Sequence, residues 1–211
     1  MTQALVLLCS PRKKGVSDTA AQLFAQGLAE CGMPVRVLAL RDYAVTACKG
    51  CGACAPPPHH CILADTDEAE TLFTALGAAK LLLLASPIYF YHLPAHFKAL
   101  IDRSQRFWMQ QQACGTGTSK KWQVQNARHK GHARPALAIL TAGRTSGTQL
   151  FKGALLSLNY FLASLGATLH ETRQLRGLET VEDLTARPAV TADLYAWGKD
   201  WASLCRACPP C

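Results

Sequence analysis

The chain has 211 residues, 49% of them hydrophobic and 17% charged, with a formal net charge of +8. That length supports one domain, or one domain with appendages, around a substantial core, and the composition excludes intrinsic disorder. No window approaches the ~20 uninterrupted apolar residues of a membrane-spanning helix. The opening Met-Thr-Gln-Ala-Leu-Val-Leu-Leu-Cys lacks a basic region and a small-residue cleavage site, so it reads as a first strand and not as a signal peptide. Ten cysteines without a secretion signal point to a reducing, cytoplasmic compartment, where thiols serve metal or redox chemistry before disulfides.

Residues 4–9 are a continuous apolar run, as expected of a strand buried on both faces. A polar turn follows, then a helix with Ser17 or Asp18 as N-cap and Ala20, Phe24, Leu28 and Cys31 on one face, ended by Gly32. Residues 35–40 alternate as a second strand, completing a βαβ unit with a right-handed crossover. After a cysteine-rich stretch without periodicity, 65–79 reads as a helix with an acidic first turn, and 81–85 as a third buried strand. Pro94 opens a helix running to about Phe107. Residues 110–134 form a long Gln-, Gly- and Lys-rich loop, longer than an idle connection needs. A fourth strand (136–141), an apolar helix (149–165), a more polar edge strand (168–174) and a last helix (189–205) follow.

Alternating strands and helices give an α/β fold, a flavodoxin-like, doubly wound, five-stranded parallel sheet in the order 2-1-3-4-5. Residues 1–205 form a single domain and 206–211 a cysteine-containing tail. In such sheets a ligand lies at the carboxyl ends of the strands, near the switch between strands one and three, and the loops at Ser10, Ser86 and Ala142 all leave those ends.

The first loop offers the hydroxyls of Ser10 and Ser17, the cations Arg12 and Lys14, and backbone N–H groups at a helix N-terminus, including that of Val16. Aimed dipoles and positive charge of this kind bind phosphate. Neither a Walker pattern nor the spaced glycines of a dinucleotide turn is present, so a monophosphate such as that of FMN fits better than a pyrophosphate. An ordinary polar turn is the plainer reading. Pro87, Ile88, Tyr89 and Phe90 could give a flavin ring flat apolar contacts and backbone donors, although aromatic residues after a strand are often core.

Cys48, Cys51, Cys54 and Cys61 stand at spacings of two, two and six residues, the last after three prolines. The compact C-x2-C-x2-C run is a shape used for iron–sulfur ligation; four thiolates also suit tetrahedral zinc, or no metal. The tail repeats the spacing with Cys205, Cys208 and Cys211, which could bind metal with Cys114, with another chain's cysteine, or not at all. His59 and His60 could replace a ligand, and His92 could donate a proton or simply face solvent; Asp102 and Arg103 read as a helix-end ion pair. Residues 103–170 contain no Asp or Glu and nine Lys or Arg, a basic face able to steer phosphates, dinucleotides or nucleic acid, or simply a solvated excess of charge.

Taken together, Ser10-Pro11-Arg12-Lys13-Lys14-Gly15, Cys48-Lys49-Gly50-Cys51-Gly52-Ala53-Cys54, Ser86-Pro87-Ile88-Tyr89-Phe90 and Lys98-Ala99-Leu100-Ile101-Asp102-Arg103 resemble the NAD(P)H-dependent FMN reductase superfamily, and within it the iron–sulfur flavoprotein branch. The match covers about residues 4–106. It implies FMN with its phosphate in the 10–17 loop and its ring against 87–90 and the Ala142-Gly143 turn. It also implies a 4Fe–4S cluster on Cys48, Cys51, Cys54 and Cys61, and a homodimer or homotetramer passing electrons between protomers. Cys9 stands where the family usually has Gly, and Val16 where a small polar residue is usual. The activity so implied is that of an FMN-dependent oxidoreductase fed by a ferredoxin-like carrier or NAD(P)H. Alternatives are an NAD(P)H-dependent FMN or quinone reductase without a cluster, and a non-enzymatic redox sensor or electron carrier. A membrane partner is not expected, and nucleic acid is a distant reading.

Overall fold

Five parallel strands, β1 (Ala4–Leu8), β2 (Val35–Ala39), β3 (Leu81–Pro87), β4 (Arg134–Ala142) and β5 (Ala167–Arg176), pair in the order β2-β1-β3-β4-β5. They belong to a computed structural model that describes residues 4–113 and 134–207. The interior strands are apolar along their length because helices cover both faces. Successive side chains point to opposite sides, so one strand feeds two cores. Leu5, Leu7, Leu82, Leu84, Ala138 and Leu140 pack under α2 (Ala69–Ala78), α3 (Ala95–Arg103) and α5 (Lys152–Ser164). Val6, Leu8, Leu81, Leu83, Leu137 and Ile139 pack under α1 (Val16–Glu30), the short α6 (Val181–Thr185) and α7 (Pro188–Ala207). α4 (Gln105–Ala113) has no buried residue.

Two glycines let α1 and α7 lie almost in backbone contact. A Cβ on Gly27 would sit 2.1 Å from the Tyr195 carbonyl oxygen, and one on Gly198 would sit 2.2 Å from that of Phe24. Trp197 and Phe24 fill the space beside this crossing, their rings edge to face at 4.8 Å.

Several boundaries differ from those read in the sequence, each for a local reason. α1 is capped by Gly15 in an extended conformation, not by Ser17 or Asp18, which are buried in the first turn. Asp18 instead reaches back to accept the Lys14 N–H at 3.1 Å. α2 begins at Ala69 and not near Asp65, because Asp67 and Glu68 turn aside: their carboxylates accept the N–H groups of Thr46 and Ala44, at 2.8 and 2.7 Å. The helix expected to run from Pro94 to about Phe107 breaks at Ser104, whose hydroxyl donates to the Ile101 carbonyl at 2.7 Å. Residues 110–113 continue α4, and the remainder of the expected 110–134 loop falls outside the described residues except for Arg134. Cys114, Cys208 and Cys211 also fall outside them. Among the described residues no helix is long and apolar enough to cross a membrane.

Candidate functional site

A cavity of about 210 Å³ opens at the carboxyl ends of β1, β3 and β4. Ser10, Arg12, Val16, Ser17, Pro87, Ile88, Tyr89, Ala142 and Gly143 line it, nine of the eleven positions singled out for a flavin nucleotide. The other two, Lys14 and Phe90, do not. Lys14 has a left-handed backbone (φ 54°) that turns its N–H toward Asp18. Phe90 and Tyr91, also left-handed (φ 47° and 62°), form the tip of a tight turn closed by Tyr89 and His92, which exchange backbone hydrogen bonds at 2.8 and 2.9 Å. That turn leaves the Phe90 ring fully exposed.

The phosphate-type loop is held from beneath. Ser10 is buried and its Oγ accepts the Arg12 N–H at 3.1 Å. Arg41, from the turn after β2, donates to the Ser10 carbonyl at 3.0 Å and pairs with buried Asp18 at 2.9 Å. Burial pushes the Asp18 carboxyl above the ordinary aspartate range, against the opposing pull of Arg41 and the Lys14 N–H. Cys9, buried below the same loop, has its thiol pushed well up, first by burial and then by the Asp18 charge, and it therefore stays a thiol. The first backbone N–H groups of α1 have no intrahelical acceptor and point out of the helix end. Together with Ser17 and Arg12 they make a cradle for an anion.

Four cavity residues were missed in the sequence: Gly15, Thr141, Leu178 and Glu179. Leu178 and Glu179 follow β5 and fold back over the end of β4, where the Leu178 N–H bonds the Ala142 carbonyl at 3.1 Å. The Glu179 carboxylate rests on Gly143, so that a Cβ there would meet Oε2 at 1.7 Å. His92 is half-buried and is not among the residues lining the cavity: its Nε2 shares a 3.0 Å hydrogen bond with Ser157 of α5, and its ring packs over Gly153.

All four cysteines line a second cavity, of about 440 Å³, together with Ile62, Leu63 and residues from α3 and α4. Left-handed Gly50 and Gly52 fold the loop, and the Gly50 N–H points at the Cys48 sulfur at 3.5 Å. The Cys54 thiol is pushed up chiefly by burial, against the pull of its own backbone N–H, with a further upward push from the neighbouring cysteines. His59 is buried and its Nδ1 bonds the Cys54 carbonyl at 3.1 Å, while exposed His60 lies 3.9 Å from Asp65. His59 thus ties down the loop between the third and fourth cysteines. Among the described residues no three His, Cys, Asp or Glu side chains converge tightly enough to ligate one metal ion. Zinc, with Zn–S bonds of ~2.3 Å, needs such convergence. A cluster of several irons spreads its thiolates more widely, so the donor set and the cavity fit an iron–sulfur group better than zinc.

Of the basic segment, the described residues Arg103, Arg106 and Arg134 are engaged within the fold. Arg134 donates to the carbonyls of Leu76, Gly77, Ala79 and Leu165, closing the ends of α2 and α5. Arg106 pairs with Glu70 and lies over the Phe107 ring at 3.9 Å. The expected Asp102–Arg103 pair does not form: Asp102 pairs with Lys98, and Arg103 is buried against Asp67.

The family model for NADPH-dependent FMN reductase matches residues 2–167. The chain belongs to that family. It is 30% identical over 96 residues to an iron–sulfur flavoprotein of Methanocaldococcus jannaschii, covering 46% of this chain and 48% of that one. It is 32% identical over 95 residues to an iron–sulfur flavoprotein of Methanosarcina thermophila, covering 45% and 48%. The chain thus spans about half the length of the curated relatives it matches. Among solved structures it is similar to an NAD(P)H:quinone oxidoreductase from Methanothermobacter marburgensis, with a TM-score of 0.64 at 18% identity over 94% of this chain and 95% of that one. It is also similar to a flavodoxin from the domain Archaea, with a TM-score of 0.52 at 11% identity over 97% and 99%. At those identities the likeness is one of fold.

Proposed function

We propose that this family member is an FMN-dependent oxidoreductase of the iron–sulfur flavoprotein branch, carrying FMN in the cavity at the ends of β1, β3 and β4 and a 4Fe–4S cluster on Cys48, Cys51, Cys54 and Cys61. The observation that carries this reading is the convergence of those four cysteines on one cavity, in a chain whose separate strand-end cavity gathers the loops expected to hold a flavin nucleotide. When bound, FMN accepts one electron or two and the cluster one, which couples hydride donors to single-electron carriers.

The protein's own part is placement and charge. Arg12, Ser10, Ser17 and the first N–H groups of α1 hold the phosphate. Pro87, Ile88, Tyr89, Ala142 and Gly143, which line that cavity together with Leu178 and Glu179, would border the ring. The two cavities share no lining residue, which fits a homo-oligomer in which electrons pass between protomers. NAD(P)H and a ferredoxin-like carrier are the candidate donors.

Anaerobic reconstitution with FMN, iron and sulfide tests the proposal. The expected product carries flavin together with stoichiometric iron and sulfide, and Cys51→Ser loses the iron but keeps the flavin. A flavin spectrum without iron, unchanged by Cys51→Ser, would leave an NAD(P)H-dependent FMN or quinone reductase with structural cysteines. That second reading is favoured by the lack of tight convergence among the described cysteines, and rapid hydride transfer from NADPH would mark it.

A further inference from the structure

Arg103, the last residue of α3, is a buried cation under the cysteine loop, only 2% exposed. Its Nη1 donates to Asp67 Oδ2 at 2.5 Å and to the Thr46 carbonyl at 3.1 Å. Asp67 is equally buried and otherwise satisfied, accepting the N–H of Thr46 at 2.8 Å and of Ala69 at 3.1 Å. The guanidinium is not satisfied. Its Nε and Nη2 are buried and have no hydrogen-bond partner among the described residues. A buried charged donor without an acceptor is costly, and a fold that keeps one implies an acceptor in some state of the protein. Besides Asp67, the side chain that acts on the guanidinium is Cys61, the fourth cysteine of the cavity, near enough to interact but not in an ordinary hydrogen-bond geometry, and Asp102 and Gln105, in the chain on either side of Arg103 and Ser104, line that same cavity.

We propose that Arg103 is a positioning residue for the cysteine cavity: Asp67 fixes one arm of its guanidinium, and the remaining N–H groups donate to the Cys61 sulfur when that sulfur is a thiolate ligand. The inference rests on the iron–sulfur reading above and deepens it. Arginine suits the task because its planar fork serves two acceptors at once with pre-set directions, which the single ammonium of lysine does not reproduce. Hydrogen bonds to ligand sulfurs and nearby net charge are among the factors that set iron–sulfur potentials. Reduction adds negative charge to the cluster, so N–H groups held beside one ligand and donating to its sulfur favour the reduced state and raise the potential.

The test compares wild type, Arg103→Lys, Arg103→Gln and Asp67→Asn/Arg103→Gln after anaerobic reconstitution. Iron and sulfide per chain, the rate of iron release to a chelator, and the cluster midpoint potential by EPR-monitored titration are measured. FMN content, set in a cavity with no shared residue, checks that each variant is folded. The double variant removes both charges, so no carboxylate is left buried alone. The expected result is a reduction equilibrium shifted about tenfold against the reduced cluster in both Gln variants, ~59 mV for one electron, with faster iron release and Arg103→Lys in between. A purely structural role would lower the melting temperature and leave the potential where it is. Iron-loaded variants with wild-type potential and release rate overturn the inference alone; wild type that takes up no iron overturns the iron–sulfur reading, and the inference with it.

Discussion

Glycine-to-alanine substitution at two positions should separate what the fold needs from what the candidate flavin site needs. At Gly198 the added Cβ would meet backbone, 2.2 Å from the Phe24 carbonyl oxygen and 3.0 Å from the Leu28 nitrogen. Neither group can rotate away, so α1 and α7 must part by about 1 Å to restore ordinary contact distances. Overpacking of this kind costs ~1–3 kcal/mol, and the clash here belongs at the upper end; alanine's better helix propensity returns about 1 kcal/mol. The net loss of about 2 kcal/mol should lower the melting temperature by about 4–8 °C for a chain of this size. At Gly143 the nearest atom is instead Oε2 of Glu179, 1.7 Å from the added Cβ, at the end of an exposed side chain that can swing aside. Stability should change by less than about 0.5 kcal/mol.

The new methyl and the displaced carboxylate would nonetheless stand inside the cavity. FMN affinity, measured by quenching of flavin fluorescence on titration with apoprotein, should fall about tenfold or more, equivalent to ~1.4 kcal/mol. Gly198→Ala should leave the affinity of the folded fraction unchanged. Equal FMN affinity in wild type and Gly143→Ala would refute the assignment of this cavity. Equal melting temperatures in wild type and Gly198→Ala would refute the close helix crossing.

Three further outcomes are expected. Burial works to raise the Asp67 carboxyl, but the Arg103 hydrogen bond and the N–H groups of Thr46 and Ala69 outweigh it and hold it below the ordinary aspartate value. Its stabilising contribution is therefore complete above about pH 3.8 and lost as the pH falls through the depressed native value. Urea titrations of wild type and Asp67→Asn should converge on acidification over that window, and a constant gap would count against the pairing. Phe90→Gly removes an exposed ring and relieves a left-handed backbone, so the variant should be stabilised by up to about 1 kcal/mol in a thermal melt, and a clear loss of stability would argue that the turn is packed. Arg41→Met leaves Asp18 buried without its cation and should cost about 3–5 kcal/mol in denaturant unfolding; adding Asp18→Asn should recover much of that loss, and a double variant no better than the single would sink the idea.

The sheet was legible because each interior strand is a run of leucine, valine and alanine too apolar for anything but a two-faced core, and the loops at Ser10, Ser86 and Ala142 follow those runs directly. Less legible was everything decided by a side chain leaving its own element. Ser17 and Asp18 have the chemistry of N-caps, yet Gly15 takes the cap and Asp18 is drawn inward by Arg41, 23 residues on. Asp67 and Glu68 resemble the acidic first turn of a helix, but the unpaired N–H groups of Ala44 and Thr46 claim them first. Glu179 could not be placed at the cavity from sequence, since only the return of the chain after an edge strand brings it onto Gly143. Arg103 was misassigned for a similar reason: the adjacent Asp102 offered a partner, while the real one lies 36 residues earlier.

Both candidate sites are braced alike, by an Arg–Asp pair beneath a loop that has no regular structure of its own. Arg41 joins Asp18 to the Ser10 carbonyl under the phosphate-type loop, and Arg103 joins Asp67 to the Thr46 carbonyl at the root of the cysteine loop. Buried pairs of this kind add little net stability, because desolvation consumes most of the attraction. Their effect is to fix position, since each arginine ties a carbonyl of one loop to a carboxylate of a neighbouring segment. The two pairs differ in completeness. Asp67 uses both oxygens and its carboxyl is held low, whereas Asp18 leaves Oδ1 without a partner among the described residues and is pushed up. At the N-terminus of α1 that difference has a consequence. A fully charged, unpaired Asp18 would compete with a phosphate for the positive end of the helix, and Arg41, by neutralising it from below, leaves the outward-facing N–H groups available to an anionic ligand.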